Sequence, residues 1–419
     1  MNNKFYYLIF ALSTMLISEE RLKQARVTEY FSTQTIDYVE SLRENGDSKE
    51  YLFVRQTNAY FERAKARLEL GNIESALEDI NKVIIREPYK VEAYYYRGRI
   101  FSILENYSEA KVNYDVDIEN KLFSPDVFAY RAEARFNIYR DESILIDIDH
   151  FLNNSNISHP YSSKLYFYKG AILFQKENYS DALENLHIAI ELSPEIWEAY
   201  VIRGNIYRIQ GHLTSAFSDF NIAVNSKQAP REVYLYRGLA NSISGNFQPA
   251  IDDLTQFLIL TPGYHQRKAE AILQRAIARF YKGNLNEALN DLNEVIKREP
   301  THWLAFRLLG LVYLEKNEFH KSLTNFNIAF ERGDHDIELF LHRGMVHLNL
   351  SHYKSAESDF SIFLNKARDN HTKYGKVLCN RGIALFFMKR IEDACIDWDY
   401  ASNLQFEDAN KFIQRHCIE

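Results

Sequence analysis

The chain has 419 residues, of which 46% are hydrophobic and 26% are charged, and its formal net charge at pH 7 is -7. This composition is typical of an ordered protein and excludes a chain that stays disordered for lack of apolar side chains. Because a net negative charge repels phosphate backbones, and no run of Lys and Arg with interleaved aromatic residues forms a basic stripe, we expect no nucleic acid partner.

The N-terminal 18 residues contain a mostly apolar stretch. Lys4 is followed by an apolar stretch from Phe5 to Ile17, which is too short to span a bilayer but matches the apolar core of a secretory signal peptide. We therefore expect no integral membrane span. Two interpretations stay open for residues 1–18. We favour a signal peptide on a protein exported to the periplasm or cell envelope, and the alternative is an apolar first helix that packs on the rest of a cytoplasmic protein.

Residues 19–56 have a helical composition with one turn signal, Asn45-Gly46-Asp47. They do not match the periodic pattern that follows. We expect them to form an N-terminal helical cap.

From residue 57 to residue 408 one pattern recurs ten times. A small residue, usually after a basic one, appears every 34 or 38 residues, and in nine of ten cases a second small residue follows twelve residues later. Two antiparallel helices approach closely only where side chains are small, so the pattern predicts ten helical hairpins. The first small residues are Ala64, Gly98, Ala132, Gly170, Gly204, Gly238, Ala276, Gly310, Gly344 and Gly382.

The spacings of these small residues run 34, 34 and 38 three times, which gives a superperiod of 106 residues. The hairpin before each long spacing carries a large ring near its end, at Phe151, Phe257 and Phe363. We expect the ring to push the helices apart and the four extra residues to add about one helical turn. Duplication of a block of three hairpins explains the superperiod.

The C-terminal segment 405–419 has apolar residues at helical spacing and is expected to be a capping helix that covers the last apolar face. The three cysteines, Cys379, Cys395 and Cys417, are too few for a disulfide framework or a four-cysteine zinc site. Cys395 and Cys417 would join the last hairpin to the cap in an oxidising compartment. The alternative is two buried free thiols.

This pattern resembles the tetratricopeptide repeat, whose 34-residue unit has an aromatic residue at position 4, small residues at positions 8, 20 and 27, and proline at position 32. The resemblance covers residues 57–408 and implies an all-α solenoid, a right-handed superhelix of about ten helical hairpins. The ending around Cys395 and Trp398 is similar to that of many bacterial members. Position 4 is aromatic at Tyr60, Tyr94, Phe128, Tyr166, Tyr200, Tyr234, Phe306 and Phe340.

Position 7 is basic in nine repeats, and position 23 is Asp or Asn in all ten. Aspartate occurs at position 23 only where position 7 is Arg, which predicts a structural ladder of forked ion pairs between helices rather than a basic groove for a ligand. The predicted pairs are Arg63 with Asp79, Arg131 with Asp147, Arg203 with Asp219, Arg237 with Asp253, Arg275 with Asp291, Arg343 with Asp359, and Arg381 with Asp397.

In this family, positions 2, 5, 9, 12 and 13 of the first helix line the inner surface of the superhelix. Here position 5 is mostly apolar and predicts an apolar floor of the inner surface, and repeats 7 to 10 add apolar residues at positions 9, 12 and 13. This predicts a surface for a peptide; the alternative is packing alone. The predicted peptide-binding residues are Tyr95, Phe167, Leu273, Phe280, Arg307, Leu311, Leu314, Leu341 and Phe387.

We predict no catalytic residue, no cofactor and no metal site. His335, His342, His347 and His352 are separated by seven, five and five residues rather than by the four that a helical metal pair needs, and neither a phosphate loop nor a nucleophile elbow occurs. The resemblance implies a non-catalytic scaffold or adaptor that binds a peptide or partner protein in its concave groove. The alternatives are a ligand-sensing regulatory protein and an enzyme with a site on the solenoid. The oligomeric state is not predicted.

Overall fold

The computed structural model describes residues 3–46, 49–121, 126–226, 229–367 and 371–417, and the side chains from residue 19 onward. These residues form 22 helices and no strand, which confirms the all-α solenoid class. The right-handed course of the superhelix stays a prediction. In the described ranges no helix has both the length and the hydropathy to cross a bilayer.

Ten consecutive hairpins, numbered here as repeats 1 to 10, lie between a long first helix and a short last one. In each repeat the first helix is called helix A and the second helix B. The first and last helices are α1 (Asn3–Glu44) and α22 (Asp408–His416). The hairpins are α2 (Glu50–Glu69) with α3 (Ile73–Arg86), α4 (Val91–Ile103) with α5 (Tyr107–Glu119), α6 (Val127–Ile138) with α7 (Ser143–Asn154), α8 (Ser162–Gln175) with α9 (Tyr179–Leu192), α10 (Trp197–Ile209) with α11 (Leu213–Val224), α12 (Arg231–Ile243) with α13 (Phe247–Ile259), α14 (Lys268–Lys282) with α15 (Leu285–Arg298), α16 (Trp303–Glu315) with α17 (Phe319–Glu331), α18 (Ile337–Asn349) with α19 (Tyr353–Lys366), and α20 (Tyr374–Phe387) with α21 (Ile391–Asn403).

The chain divides into two compact units, Met1–Ile206 and Tyr207–Glu419, within α10. Unit 1 contains α1 and repeats 1 to 4 with most of α10. Unit 2 contains α11, repeats 6 to 10 and α22.

The small residue at position 8 lets helix A lie close to the core residue at position 24 of its own helix B. A Cβ atom added to Gly310 would lie 2.6 Å from the ring of Phe326, and one added to Gly382 would lie 2.5 Å from Nε1 of Trp398. Non-bonded carbon atoms rarely approach within about 3.5 Å, so only glycine fits opposite these rings. Glycine also faces a leucine in repeats 4 and 6, where a Cβ atom added to Gly170 or Gly238 would lie 2.7 Å from Leu186 or 2.8 Å from Leu254.

Both ends of the series are covered by an extra helix. α1 is one unbroken helix from Asn3, and it packs against α2, which begins at Glu50 and therefore includes residues assigned from sequence to the cap. The side chains of residues 1–18 lie outside the described part, so the signal peptide stays a prediction. At the other end, α22 packs against α21, and a disulfide joins Cys395 to Cys417.

The prediction of an extra helical turn at each long spacing is wrong. The second helices of these repeats keep the usual length, and the extra residues lie in the connecting loops. In each loop a histidine packs edge-on against the buried phenylalanine, and its Nδ1 accepts a hydrogen bond from the backbone N–H two residues later. The loops are longer because they supply a ring that covers the large side chain. The three pairs are Phe151 with His159, Phe257 with His265, and Phe363 with His371.

Candidate functional site

The arginines at position 7 are bonded to aspartates within their own repeats. In repeat 7, Arg275 donates from Nε and Nη2 to the two carboxylate oxygens of Asp291 at 3.0 and 2.7 Å, and both side chains are mostly buried. The same two-bond geometry occurs in five other repeats, in Arg63–Asp79, Arg131–Asp147, Arg237–Asp253, Arg343–Asp359 and Arg381–Asp397. The pair Arg203 with Asp219 joins residues of different units and stays a prediction.

Each of these arginines also reaches the preceding helix B through Nη1. Arg131 donates to Asp115 at 2.8 Å, and Arg343 donates to Asn327 at 3.2 Å. For these arginines in repeats 3, 6, 7, 9 and 10 the acceptor is at position 25 of the preceding repeat, which is Asp, Asn, Thr or Ser, and Arg63 of repeat 1 reaches Thr33 of α1. This second bond was not predicted from the sequence, although the polar residue at position 25 was its signal. Because each guanidinium group is bonded both to its own helix B and to the preceding helix, these arginines do not form a basic groove for a ligand.

Position 5 does not form the apolar floor expected from the sequence. Tyr95, Leu273 and Leu341 are buried, each among the core residues of its unit. They are 9%, 6% and 2% exposed, which leaves little area for direct contact with a peptide, so their burial does not support the prediction that they bind one. Phe167 is partly buried against Phe136 and Tyr168 and belongs to the core of unit 1.

Arg307, the polar residue at position 5, is already paired. Its Nη1 lies 3.4 Å from Asp334 Oδ1 and 3.5 Å from Asp336 Oδ2, and its guanidinium carbon lies 5.2 Å from the centre of the Trp303 ring. Burial raises the pKa of Asp334, whose Oδ2 has no hydrogen-bond partner among the described residues. Arg307 therefore compensates a buried carboxylate, and it is not free to bind a peptide carboxylate.

Positions 9 and 12 of helix A instead form a continuous apolar surface in repeats 7 to 10. All eight side chains are partly buried, so each keeps some exposed area, and the A helices of successive repeats contact one another. We call this surface the helix-A stripe. Its members are Ile277, Phe280, Leu311, Leu314, Met345, Leu348, Ile383 and Phe386.

Two exposed aromatic rings border the stripe at position 13. Tyr281 is 63% exposed and stacks on Phe247 with ring centres 5.3 Å apart, and Phe387 is 55% exposed and stacks on Tyr353 at 4.8 Å. The two stacks are separated by one superperiod of 106 residues. Exposed aromatic rings held by stacking lose little conformational freedom on binding, which makes them suitable anchors for a partner.

Unit 1 has a different surface at the same positions. Position 9 is Lys65, Arg99, Glu133 and Ala171 in repeats 1 to 4. Lys65 bonds Glu62 at 3.0 Å, and Glu133 pairs with Lys164. Three of these four side chains are charged, whereas every position 9 in repeats 7 to 10 is apolar, so the apolar stripe belongs to unit 2 alone among the described repeats.

The histidines of unit 2 are packed rather than arranged around a metal. Burial lowers the pKa of His342, whose Nδ1 lies 2.7 Å from the backbone oxygen of Glu338. Burial also lowers the pKa of His347, which lies beside His352 with Nδ1 atoms 3.4 Å apart. In the part of the chain that the structure describes, no group of three His, Cys, Asp or Glu side chains could hold a metal ion.

Comparison with known proteins supports the family. The family model described as tetratricopeptide repeat matches residues 61–110, 169–233 and 273–337. No curated protein matches the chain in sequence.

Several solved structures are similar to the chain at low sequence identity. YrrB, a TPR protein with an unusual peptide-binding site, is 21% identical over 48% of this chain and 96% of its own, with a TM-score of 0.40. PilW, a type IV pilus biogenesis factor, is 16% identical over 52% of this chain and 98% of its own, with a TM-score of 0.45. PilF of Pseudomonas aeruginosa is 12% identical over 51% of this chain and 95% of its own, with a TM-score of 0.43.

Three independent features now agree: ten hairpins with a small residue at position 8, a ring or branched side chain packed against it from position 24, and a family model that matches in both units. The chain therefore carries tetratricopeptide repeats, which the family model matches over residues 61–110, 169–233 and 273–337.

Proposed function

We propose that the chain is a non-catalytic scaffold or adaptor that binds an extended peptide or a partner helix along the helix-A stripe. Proteins of this family generally act as protein-interaction scaffolds. The observation that carries the proposal is the uninterrupted run of apolar residues at positions 9 and 12 in four consecutive repeats, with exposed rings at Tyr281 and Phe387.

The stripe is suited to an apolar ligand because it offers exposed apolar area without charged side chains among its members. Affinity would come from burial of that area, at about 25 cal/mol per Å². Charged residues at position 2 border the stripe on helix A. Glu270 is bonded to Arg267, and Glu338 is bonded to Lys373. These charged residues would therefore orient a bound partner more than they would raise its affinity.

Site-specific photo-crosslinking tests this proposal. A photoreactive residue in place of Leu348, in the stripe, should crosslink to the partner in the native host, whereas the same residue in place of Ser358, exposed on α19 of the same repeat, should not. Equal crosslinking from the two positions, or crosslinking from Ser358 alone, would contradict the proposal.

We also propose that the protein is exported. The disulfide between Cys395 and Cys417 supports this, because such bonds persist in oxidising compartments and are rare in the cytosol. Alkylation of protein isolated from its own cells should modify Cys379 alone after denaturation. Modification of all three cysteines would instead indicate a reducing compartment.

A further inference from the structure

The outer face of α1 is apolar although it lies at one end of the series of hairpins. Val27 is 48% exposed, Tyr30 61%, Phe31 63% and Tyr38 54%. A terminal helix of a repeat protein needs a polar outer face to stay soluble. The last helix, α22, meets this need, since its exposed residues are all polar. The first helix does not.

The contacts of α1 show which surface is uncovered. Arg63 Nη1 lies 3.4 Å from Thr33 Oγ1, the bond that elsewhere joins an arginine to position 25 of the preceding helix B. α1 is therefore a helix B that lacks its helix A. With Thr33 counted as position 25, Phe31 is at position 23. In repeats 1 and 3 the residue at position 23, Asp79 or Asp147, is buried against its own helix A. No described helix covers Phe31 in this way.

The exposed residues are spaced for another helix. Val27, Phe31, Gln34 and Tyr38 are separated by four, three and four residues, which is the spacing of a heptad seam. Their exposure places all four on the side of α1 away from buried Ile36 and Val39. A single helix lying along this seam would cover the apolar face.

We propose that the missing helix is α1 of a second copy, packed antiparallel. Lys23, Tyr30, Asp37 and Glu44 follow one another at intervals of seven residues along one edge of the seam. In the antiparallel arrangement Lys23 lies opposite the second copy's Glu44, and Tyr30 lies opposite the second copy's Asp37. Both pairs occur twice by symmetry. A parallel arrangement would instead place Lys23, Tyr30 and Asp37 opposite Thr28, Thr35 and Leu42 of the second copy, without a pair of opposite charges. The charges therefore select the antiparallel dimer.

Sedimentation velocity on the full chain, across a wide range of protein concentration, tests the dimer. The wild type should associate reversibly to a dimer. Phe31→Ser with Tyr38→Ser should weaken association at least tenfold, because buried aromatic residues dominate interfaces of this kind. Tyr89→Ser is the matched control, since Tyr89 is exposed elsewhere in unit 1, and it should not alter association.

A charge exchange tests the antiparallel orientation. Lys23→Glu should weaken the dimer several-fold by placing like charges together, and adding Glu44→Lys should restore it, because the exchanged pair is again complementary. Circular dichroism should show every variant folded, since all the changed residues are exposed. A wild type that stays monomeric, an association insensitive to the Phe31 and Tyr38 changes, or a double exchange that does not recover the dimer would each overturn the proposal.

Discussion

At the scale of single residues, the ladder of Arg and Asp shows how a charged pair inside a repeat can be recognised from one sequence. Arg at position 7 and Asp at position 23 occur together, and Leu309 at position 7 goes with Asn325. In the structure Asn325 bonds the backbone oxygen of Lys321 in its own helix, so it needs no partner on helix A. The second bond, to position 25, had only a weak signal in the sequence, because the polar residue there is Asp in one repeat and Asn, Thr or Ser in others.

Asp291→Ala should destabilise unit 2 by about 3 kcal/mol, because it leaves two mostly buried guanidinium groups, of Arg275 and Arg279, without their carboxylate. Urea unfolding followed by circular dichroism measures the change. Asn325→Ala, at the same position of repeat 8, is the control and should cost less than about 1.5 kcal/mol. Equal losses in the two variants would contradict this, because they would show that the Arg–Asp pair stabilises the repeat no more than Asn325 does.

Apolar residues of helix A differ in exposure between position 5 and positions 9 and 12. Leu273 and Leu341 at position 5 are buried, whereas Leu311 and Leu314 at positions 9 and 12 keep exposed area. An apolar residue type does not reveal the difference, since leucine suits both places. The stripe could be predicted as an apolar helix face, but which of its residues reach the surface depends on how each helix is rotated against its neighbours.

At the scale of elements, the long loops show what the sequence pattern leaves undetermined. The superperiod, the large rings and the extra residues were all visible, yet they suggested a longer helix. The structure uses the extra residues for a histidine that packs on the ring, as His265 does on Phe257. The recurrence of histidine at 106-residue intervals was a signal in the sequence that indicated this contact.

Helix α18 should make the stability of unit 2 depend on pH. Because burial lowers the pKa of His342, the unfolded chain binds a proton at a higher pH than the folded one. The free energy of unfolding that neutral His342 contributes is fully present above its ordinary pKa, about 6.5, and is lost as the pH falls below it. Thermal unfolding should show a smaller drop between about pH 7 and pH 5 for His342→Gln than for the wild type. An unchanged drop would assign the dependence to other groups.

The disulfide should hold α22 on the last hairpin. Cys395→Ser with Cys417→Ser removes a cross-link between residues 22 apart, which is expected to cost about 3 kcal/mol of local stability. Hydrogen exchange should therefore speed up at the amides of α22 and change little in α12. Reductant should reproduce the effect in the wild type and have no effect on the variant. Unchanged exchange in α22 after reduction would show that packing of the helix alone is sufficient.

At the scale of the whole molecule, the two units are built from the same repeat pattern but carry different side chains on the surface of their A helices. Both build hairpins from the same small residues and, in most repeats, the same ladder, but their A helices carry charged side chains at position 9 in three of the first four repeats and apolar ones in repeats 7 to 10. The fold could be predicted almost completely, because every repeat carries the same packing rules. The surface could be predicted only in part, because binding residues are not needed for packing and follow no such rule.

The measurement that tests the central claim most directly is peptide binding by the full chain. Peptides selected on it from a random display library should be rich in apolar residues, and calorimetry should show their affinity reduced at least tenfold by Leu311→Ser with Leu314→Ser. Thr324→Ser, an exposed change on α17 of the same repeat, should leave the affinity unchanged. Undiminished binding by a folded Leu311 and Leu314 variant, or a selection that yields no binding peptide, would contradict the account.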